Sequence, residues 1–306
     1  MSVEFCGLRL AHPVINGSGT FDALAARGAF GEGLLRAFPF AAYVSKTITL
    51  APRPGNPAPR LWEAPAGLIN SIGLPNKGLA GYLADDLPLL AQIARAARTD
   101  PPSPDALDGV PIITNVMGST ADELSELARA CDERPEIAAL ELNVSCPNVS
   151  TGLDIGADPA LLGEVVAQVR PHTAKPLIVK LTPNTADVAL CARACEDAGA
   201  DAVSLINTLR ASALAPGRGS GSGQPWLGGR TGGLSGPAIR PVALAQVAAV
   251  AAAVSIPVIG MGGVQSAAHA RDLLDAGATL VAVGTESFRD PGAAGRIARA
   301  LCGAAP

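Results

Sequence analysis

The sequence predicts an α/β fold: a (β/α)8 TIM barrel with a short N-terminal extension and long loops after its strands. Eight short apolar segments rich in β-branched residues recur along the 306 residues, and helical patterns separate them. Continuous apolar strands that alternate with amphipathic helices are typical of a parallel sheet covered by helices. Eight such units favour a barrel over a doubly wound sheet, the main alternative. We expect a single domain over residues 1–306.

The predicted strands are short, and each ends in polar residues or glycines. They cover residues 13–17, 41–47, 111–117, 138–144, 176–181, 201–207, 256–262 and 279–285. Helical patterns between them include residues 121–133, 158–169, 185–199 and 266–278. In such a barrel the carboxyl ends of all strands meet at one mouth, where active sites lie. Polar or glycine residues at all eight ends therefore predict a site for a polar ring and a phosphate.

Composition excludes several classes of protein. Hydrophobic residues make up 48% of the chain and charged residues 16%, which is typical of a globular protein. The net charge of −4 argues against a nucleic-acid partner, which usually needs a basic surface. No segment approaches the roughly 20 uninterrupted apolar residues of a membrane helix, and the N-terminus does not resemble a signal peptide. We expect a cytoplasmic protein without membrane contact.

The six cysteines do not predict a metal site. None of them forms a CxxC pair, and the clustered thiolates of zinc or iron–sulfur sites are missing from the pattern. Cys191 and Cys195 are four residues apart, which predicts two small core residues on one helix face. In the cytosol these thiols are expected to be reduced.

Three predicted loops are long. The first covers residues 48–80, and the second, 147–160, carries two glycines that predict a hinged lid. The third, 209–236, is rich in glycine and serine, and a flexible surface loop without chemistry is an equal interpretation of it.

Glycines follow the last two predicted strands. The segments GMGG at 260–263 and VGT at 283–285 end strands seven and eight. Barrels often bind phosphate there through backbone amides of glycine-rich turns, because glycine lets the backbone approach an anion closely. Together the two segments predict a phosphate site.

Two lysines and a group of asparagines end otherwise apolar strands or lie in the adjoining loops. Lys46 and Lys180 fit a Schiff-base lysine, a cation placed against an anionic ring or cofactor, or an ion pair at the barrel rim. An amide side chain offers both a donor and an acceptor, so a set of them suits a pyrimidine or flavin ring. The asparagines in question are Asn70, Asn115, Asn143, Asn148 and Asn207.

Cys146 follows the fourth predicted strand by a few residues. It has no sequence partners for a metal, and His12, His172 and His269 are all expected to lie away from the mouth, which argues against a Cys–His nucleophile. A lone cysteine at the mouth suits a general base for a carbon acid. Its unperturbed pKa of about 8.5 predicts faster turnover toward alkaline pH.

Several motifs together resemble the class 1 dihydroorotate dehydrogenases, the FMN enzymes of pyrimidine synthesis. The motifs are ELNVSCPN at 141–148, INTL at 206–209, TGGLSGPAI at 231–239, PVIGMGG at 257–263 and VAVGT at 281–285. The resemblance runs from about residue 3 to residue 290, and the motifs occur in order on the expected strands. The chain is most similar to the catalytic subunit of class 1B, the NAD-linked branch.

The resemblance implies residue roles. It implies that Cys146 removes a proton from carbon five of dihydroorotate while a hydride leaves carbon six for the flavin. The implied substrate contacts are Lys46, Asn70, Ser71, Ile72, Gly73, Leu74, Asn143, Asn207 and Thr208. The implied FMN contacts are Ser18, Lys46, Thr47, Asn115, Asn143, Lys180, Ile206, Gly236, Gly262, Gly263, Gly284 and Thr285.

The resemblance also implies partners. A class 1B chain passes electrons to NAD through a second subunit that carries FAD and an iron–sulfur cluster, so a homodimer or a heterotetramer with that subunit is expected. The alternatives are a fumarate-linked class 1A enzyme and a dihydropyrimidine dehydrogenase-like barrel. A tRNA dihydrouridine synthase-like barrel is disfavoured by the acidic balance. A non-catalytic flavin- or phosphate-binding barrel is disfavoured by Cys146 and the two lysines.

Overall fold

The computed structural model describes residues 2–104, 109–144, 155–217 and 223–303. Its main sheet has eight parallel strands, which confirms the predicted barrel. The strands, in chain order, are β1 Val3–Phe5, β2 Leu8–Leu10, β3 Val14–Asn16, β4 Tyr43–Val44, β5 Leu61–Ala64, β6 Gly67–Asn70, β7 Ile112–Val116, β8 Ile137–Asn143, β9 Leu177–Lys180, β10 Ala202–Leu205, β11 Leu209–Ala211, β12 Gly232–Ser235, β13 Val258–Met261 and β14 Leu280–Val283. The barrel order is β3-β14-β13-β10-β9-β8-β7-β4.

Helices connect the barrel strands. They are α1 Ala23–Phe30, α2 Glu32–Arg36, α3 Gly78–Gly81, α4 Leu87–Ala96, α5 Ala121–Asp132, α6 Pro159–Val169, α7 Val188–Asp197, α8 Arg240–Ala251, α9 Ala267–Asp275, α10 Glu286–Arg289 and α11 Ala293–Leu301. Side-chain caps explain where several of them begin. Asp187, for example, accepts hydrogen bonds from the backbone N–H groups of Ala189 and Leu190 at 2.9 and 3.0 Å, so α7 starts immediately after it.

The side chain of Asn16 closes the barrel between its first two strands. β3 and β4 are the two ends of the hydrogen-bonded strand order. Between them, Asn16 Nδ2 donates to the Val44 carbonyl and Asn16 Oδ1 accepts from the Val44 N–H, both at 2.8 Å. The carboxamide thus replaces a backbone peptide group, since it offers the same donor and acceptor. Asn16 is therefore structural, although it ends a strand at the mouth.

The barrel interior is layered from apolar to polar. Every barrel strand contributes to a buried apolar cluster, which includes Ile15, Val44, Ile113, Ala139, Ile178, Ala202, Ile259 and Leu280. Phe5 and Leu10 of the β1–β2 hairpin join this cluster, so the N-terminal extension plugs the amino end of the barrel. Two residues further along β7, β8, β9 and β10, the side chains on the same strand face are polar. They are Asn115, Glu141, Lys180 and Ser204.

The long loops 48–80 and 209–236 build a second sheet, which the sequence analysis did not predict. β5, β6, β12 and β11 pair antiparallel in the order β11-β12-β6-β5. Trp62 and Trp226 meet edge to face with ring centroids 5.6 Å apart. The glycine-rich segment therefore contributes two strands, β11 and β12, to this second sheet.

Cys191 and Cys195 are both fully buried on α7, as predicted. Burial raises the pKa of both thiols, which keeps them protonated and unreactive.

Among the described residues, no helix is long and apolar enough to cross a membrane.

His12 is buried immediately before β3. Its Nδ1 accepts a hydrogen bond from the Val14 N–H at 3.3 Å, and within the described ranges its Nε2 has no partner. Burial lowers the pKa of His12 from 6.5 to about 4. Between these two values the unfolded chain binds a proton that the folded chain does not. The free energy of unfolding therefore falls as the pH drops through this window.

We expect the His12→Asn variant to have a shallower pH dependence of stability. Between pH 7 and pH 5 the wild-type chain is expected to lose about 2 kcal/mol more unfolding free energy than this variant. Urea unfolding at the two pH values measures the difference. The same measurement on His172→Asn, at a partly exposed site, controls for the loss of an imidazole ring as such. Equal losses in wild type and His12→Asn would contradict the assignment.

Candidate active site

A cavity of about 1000 Å³ opens at the carboxyl ends of the barrel strands. Most of the predicted site residues line it, although they come from all parts of the chain. Those lining the cavity are Ser18, Lys46, Thr47, Asn70, Ile72, Gly73, Leu74, Asn143, Lys180, Ile206, Asn207, Thr208, Gly236, Gly262, Gly263, Gly284 and Thr285. The structure thus brings together at one mouth most of the residues predicted for substrate and for cofactor.

Glycines shape the wall beyond β13. Gly262 and Gly263 have φ values of +132° and +69°, conformations that side-chain-bearing residues rarely adopt. A Cβ atom at Gly263 would lie 2.7 Å from the Arg240 Cβ and 2.8 Å from the Gly236 carbonyl oxygen. The backbone here can follow this path only with glycine, which leaves the turn open to close approach by an anion.

Lys180 and Lys46 give the cavity two cations in different environments. Lys180 is only 6% exposed, and no described residue forms a hydrogen bond or ion pair with its ammonium group. Lys46 is exposed at the rim. A buried ammonium group without a protein partner is costly unless a ligand supplies the negative charge. Lys180 therefore points to an anionic or electron-rich ligand.

Hydroxyl and amide groups line the wall after β3, β4 and β8. Ser18 Oγ donates to the Ser45 carbonyl at 2.8 Å and lies 3.3 Å from Thr47 Oγ1. Asn143 Nδ2 donates to Thr47 Oγ1 at 3.4 Å. This wall presents donors and acceptors side by side, as a ring with N–H and C=O groups requires.

The loop after β6 is held in an unusual conformation. Gly73 and Leu74 have φ values of +75° and +54°, and Leu74 pays a steric cost for it. Asn56 and Asn76 hold the loop: the Asn56 N–H donates to the Ile72 carbonyl at 3.0 Å, and Asn76 Nδ2 donates to the Leu74 carbonyl at 2.9 Å. The strained segment therefore reaches the cavity wall in a defined position.

Two predicted site residues lie behind the cavity wall. Ser71 is fully buried, and its Oγ accepts a hydrogen bond from Asn56 Nδ2 at 3.0 Å. Asn115 is also fully buried, and its Nδ2 donates to Glu141 Oε2 at 2.5 Å. Cys146 and Asn148 lie outside the described residues, as do the predicted lid residues up to 154.

The sequence analysis missed one wall of the site. The β5–β6 hairpin lines the cavity through residues such as Glu63 and Leu68, and Ser235 of β12 lies beside it. Thr285 Oγ1 donates to Ser235 Oγ at 2.8 Å, which ties this hairpin sheet to the end of β14. The segment LWEAPAGLIN contained a signal, because a short proline turn separates two short apolar runs there.

The fold and the cavity together define a TIM barrel whose mouth suits a phosphate-bearing ring cofactor and a small polar substrate. Comparison with known proteins places the chain more closely. The dihydroorotate dehydrogenase family profile matches residues 1–303. The chain belongs to the dihydroorotate dehydrogenase family.

Similar proteins share one description, dihydroorotate dehydrogenase B (NAD(+)), catalytic subunit. The protein from Pelobacter propionicus is 46% identical over 302 residues, which is 98% of this chain and 92% of the relative. The protein from Trichlorobacter lovleyi is 45% identical over 305 residues, with the same coverage of both chains. The protein from Geotalea uraniireducens is 44% identical over 302 residues, again with that coverage.

The family implies FMN, and the residues of this cavity fit it. The glycine turn after β13 leaves room for a phosphate against the backbone. Lys180 is a buried cation without a partner among the described residues, and the amide-lined wall suits a flavin ring. The space is also large enough for a cofactor and a small substrate together.

Proposed function

We propose that this chain oxidises dihydroorotate to orotate in pyrimidine biosynthesis, as the FMN-dependent catalytic subunit of an NAD-linked enzyme. One observation carries the proposal: most of the predicted substrate and cofactor residues line a single cavity at the barrel mouth. Membership of the dihydroorotate dehydrogenase family supports the reaction. The names of the most similar relatives support the NAD-linked branch.

In this proposal the chain's residues divide into two sets. Lys180 and the glycine turn at 262–263 hold the flavin, with the phosphate against the turn. Lys46 and the loop 70–74 bind the substrate carboxylate and ring edge, because a cation and a preformed loop favour a planar anion. Asn143 and Asn207 orient the pyrimidine ring through their amide groups.

The chemistry requires loss of a proton and a hydride from adjacent carbons. Bound FMN would supply the acceptor for the hydride that leaves carbon six of dihydroorotate. Cys146 removes the proton from carbon five as its thiolate, and the proton ends on its sulfur. Cys146 lies outside the described residues. Its proposed role therefore rests on the family motif and on its sequence position after β8.

The electrons from dihydroorotate must then pass to an acceptor. We propose a second subunit that carries FAD and an iron–sulfur cluster and passes the electrons to NAD. The relatives' description as a catalytic subunit supports such a partner. The assembly would be a homodimer of this chain or a heterotetramer with two copies of each subunit, in the cytoplasm.

Anaerobic reduction of the bound flavin tests the proposal. Dihydroorotate is expected to bleach the flavin absorbance of the isolated chain much faster than dihydrouracil, because only dihydroorotate offers a carboxylate to Lys46. After bleaching, NAD alone is expected to reoxidise the flavin slowly, since the second subunit is missing. Stopped-flow absorbance at the flavin maximum follows both steps.

Each other outcome has a defined meaning. A preference for dihydrouracil would reassign the substrate to a dihydropyrimidine dehydrogenase-like reaction. Fast reoxidation by fumarate would move the chain to the class 1A type. Fast reoxidation by NAD without a partner would remove the need for a second subunit.

A further inference from the structure

A buried carboxyl group lies one layer beneath the cavity. Glu141 is 2% exposed and sits inside the barrel on β8, two residues before the cavity-lining Asn143. Its two carboxyl oxygens accept different hydrogen bonds. Asn115 Nδ2 donates to Oε2 at 2.5 Å, and Ser204 Oγ donates to Oε1 at 2.7 Å. Burial of such a group is costly without partners, and both oxygens are satisfied here.

The Glu141–Ser204 bond crosses the inner face of β9. β8 and β10 flank β9 in the sheet, and the bond joins their side chains across it. Ser204 is the register neighbour of Lys180, whereas Glu141 is level with Ile178. Ile178 belongs to the apolar layer below. The bond therefore forms a shelf between this apolar layer and the Lys180 side chain.

The shelf leaves Lys180 free to face the cavity. The described hydrogen bonds of Glu141 go to neutral groups, and none of its oxygens lies within ion-pair distance of Lys180. A direct ion pair would hold the ammonium group down and neutralise it. The arrangement instead keeps a buried cation beside the cavity and a carboxyl group beneath it.

We propose that Glu141 is a positioning residue for the flavin site: it holds Asn115 and Ser204 so that Lys180 stands at the cavity floor and meets the ligand ring. The inference deepens the proposed function and rests on FMN as the ligand. In this role Glu141 forms no covalent bond with the ligand. The contribution is the fixed orientation of neighbouring side chains, which raises affinity by lowering the ordering required on binding.

Direct titration of FMN into the apoprotein tests the proposal. Glu141→Leu leaves Asn115 and Ser204 without their acceptor, so the Kd for FMN is expected to rise about tenfold or more. Glu141→Gln keeps an acceptor for Asn115 and a partner for Ser204, so its Kd is expected to stay within about threefold of wild type. Quenching of flavin fluorescence reports both values without any need for turnover.

A second variant and a matched control separate positioning from stability. Ser204→Ala keeps the carboxyl group but removes the shelf, so the midpoint potential of bound FMN is expected to become more negative as Lys180 moves away from the reduced ring. Tyr82→Phe removes a buried 2.9 Å hydrogen bond to Thr114, on the helix-facing side of the same strand as Asn115. It is expected to lower the melting temperature and leave the Kd and the potential unchanged.

The outcomes distinguish this inference from the proposed function. Wild-type Kd in Glu141→Leu, or an unchanged potential in Ser204→Ala, would overturn the positioning role while wild-type dihydroorotate oxidation stood. An equal loss of FMN in Glu141→Leu and Tyr82→Phe would reduce the role to general stability. Failure of the wild-type chain to bind FMN would instead overturn the proposed function itself.

Discussion

A Cys146→Ala variant is expected to keep its bound FMN and to lose dihydroorotate oxidation. The thiolate is the proposed base for the carbon-five proton, and a positioned base typically contributes about 10²- to 10⁴-fold in rate. Alanine lacks the thiol and is smaller than cysteine, so the substitution removes the base without adding bulk. Turnover with dihydroorotate measures the loss, and the flavin absorbance of the purified variant measures retention of FMN.

The pH profile and a second cysteine sharpen this test. Wild-type kcat/KM is expected to rise toward alkaline pH, because only the thiolate takes the proton. Cys302→Ala, at the end of α11, serves as the matched control and is expected to turn over normally. Near-normal turnover by Cys146→Ala would contradict the assignment of the base.

A Gly263→Ala variant is expected to lose FMN affinity by about tenfold or more. A side chain at φ +69° costs about 1–2 kcal/mol, and the added Cβ would lie within 3 Å of two neighbouring atoms. The turn must shift to relieve the contacts, and its backbone amides then move away from the flavin phosphate. Titration of FMN into the apoprotein measures the change in Kd.

Gly277→Ala is the matched control for this experiment. Gly277 has φ +104°, and a Cβ there would lie 2.6 Å from the Ala251 Cβ, so the strain is similar. The residue lies in the turn before β14, at the opposite end of the barrel from the cavity. Both variants are expected to melt at a lower temperature, but only Gly263→Ala is expected to bind FMN more weakly. Equal Kd values in the two variants would contradict a phosphate site at residues 262–263.

The strands and the polar residues of the mouth could be predicted because both depend on short, continuous segments of sequence. The barrel strands are short apolar runs, and each continues directly into the residues that reach the mouth, as at Lys180 and Asn143. Parallel strands place all their carboxyl ends at one edge, so position in sequence predicted position in space. The roles of Cys146 and of the other residues at the dihydroorotate site were inferred from the resemblance of sequence motifs to the family. These roles remain predictions.

Only the tertiary structure decided which contacts the polar side chains of the strands make. Asn115 was predicted to be a ligand-reading amide, yet it lies below the wall on Glu141. Asn16 also ends a strand at the mouth, but its side chain closes the barrel against Val44. An amide has the same donors and acceptors in either role, so only its neighbours decide between them. The wall formed by β5 and β6 likewise depends on pairing with β12, whose partner lies more than 160 residues away in sequence.

The sequence by itself therefore determined the barrel, the end at which the site lies and the family to which the chain belongs. Only the tertiary structure decided which polar residues face the cavity, which support it from beneath and which hold the barrel together. The physical reason is that apolar periodicity acts between residues near each other in sequence. The contacts of Glu141 with Asn115 and Ser204 join three separate strands and exist only after the barrel has formed.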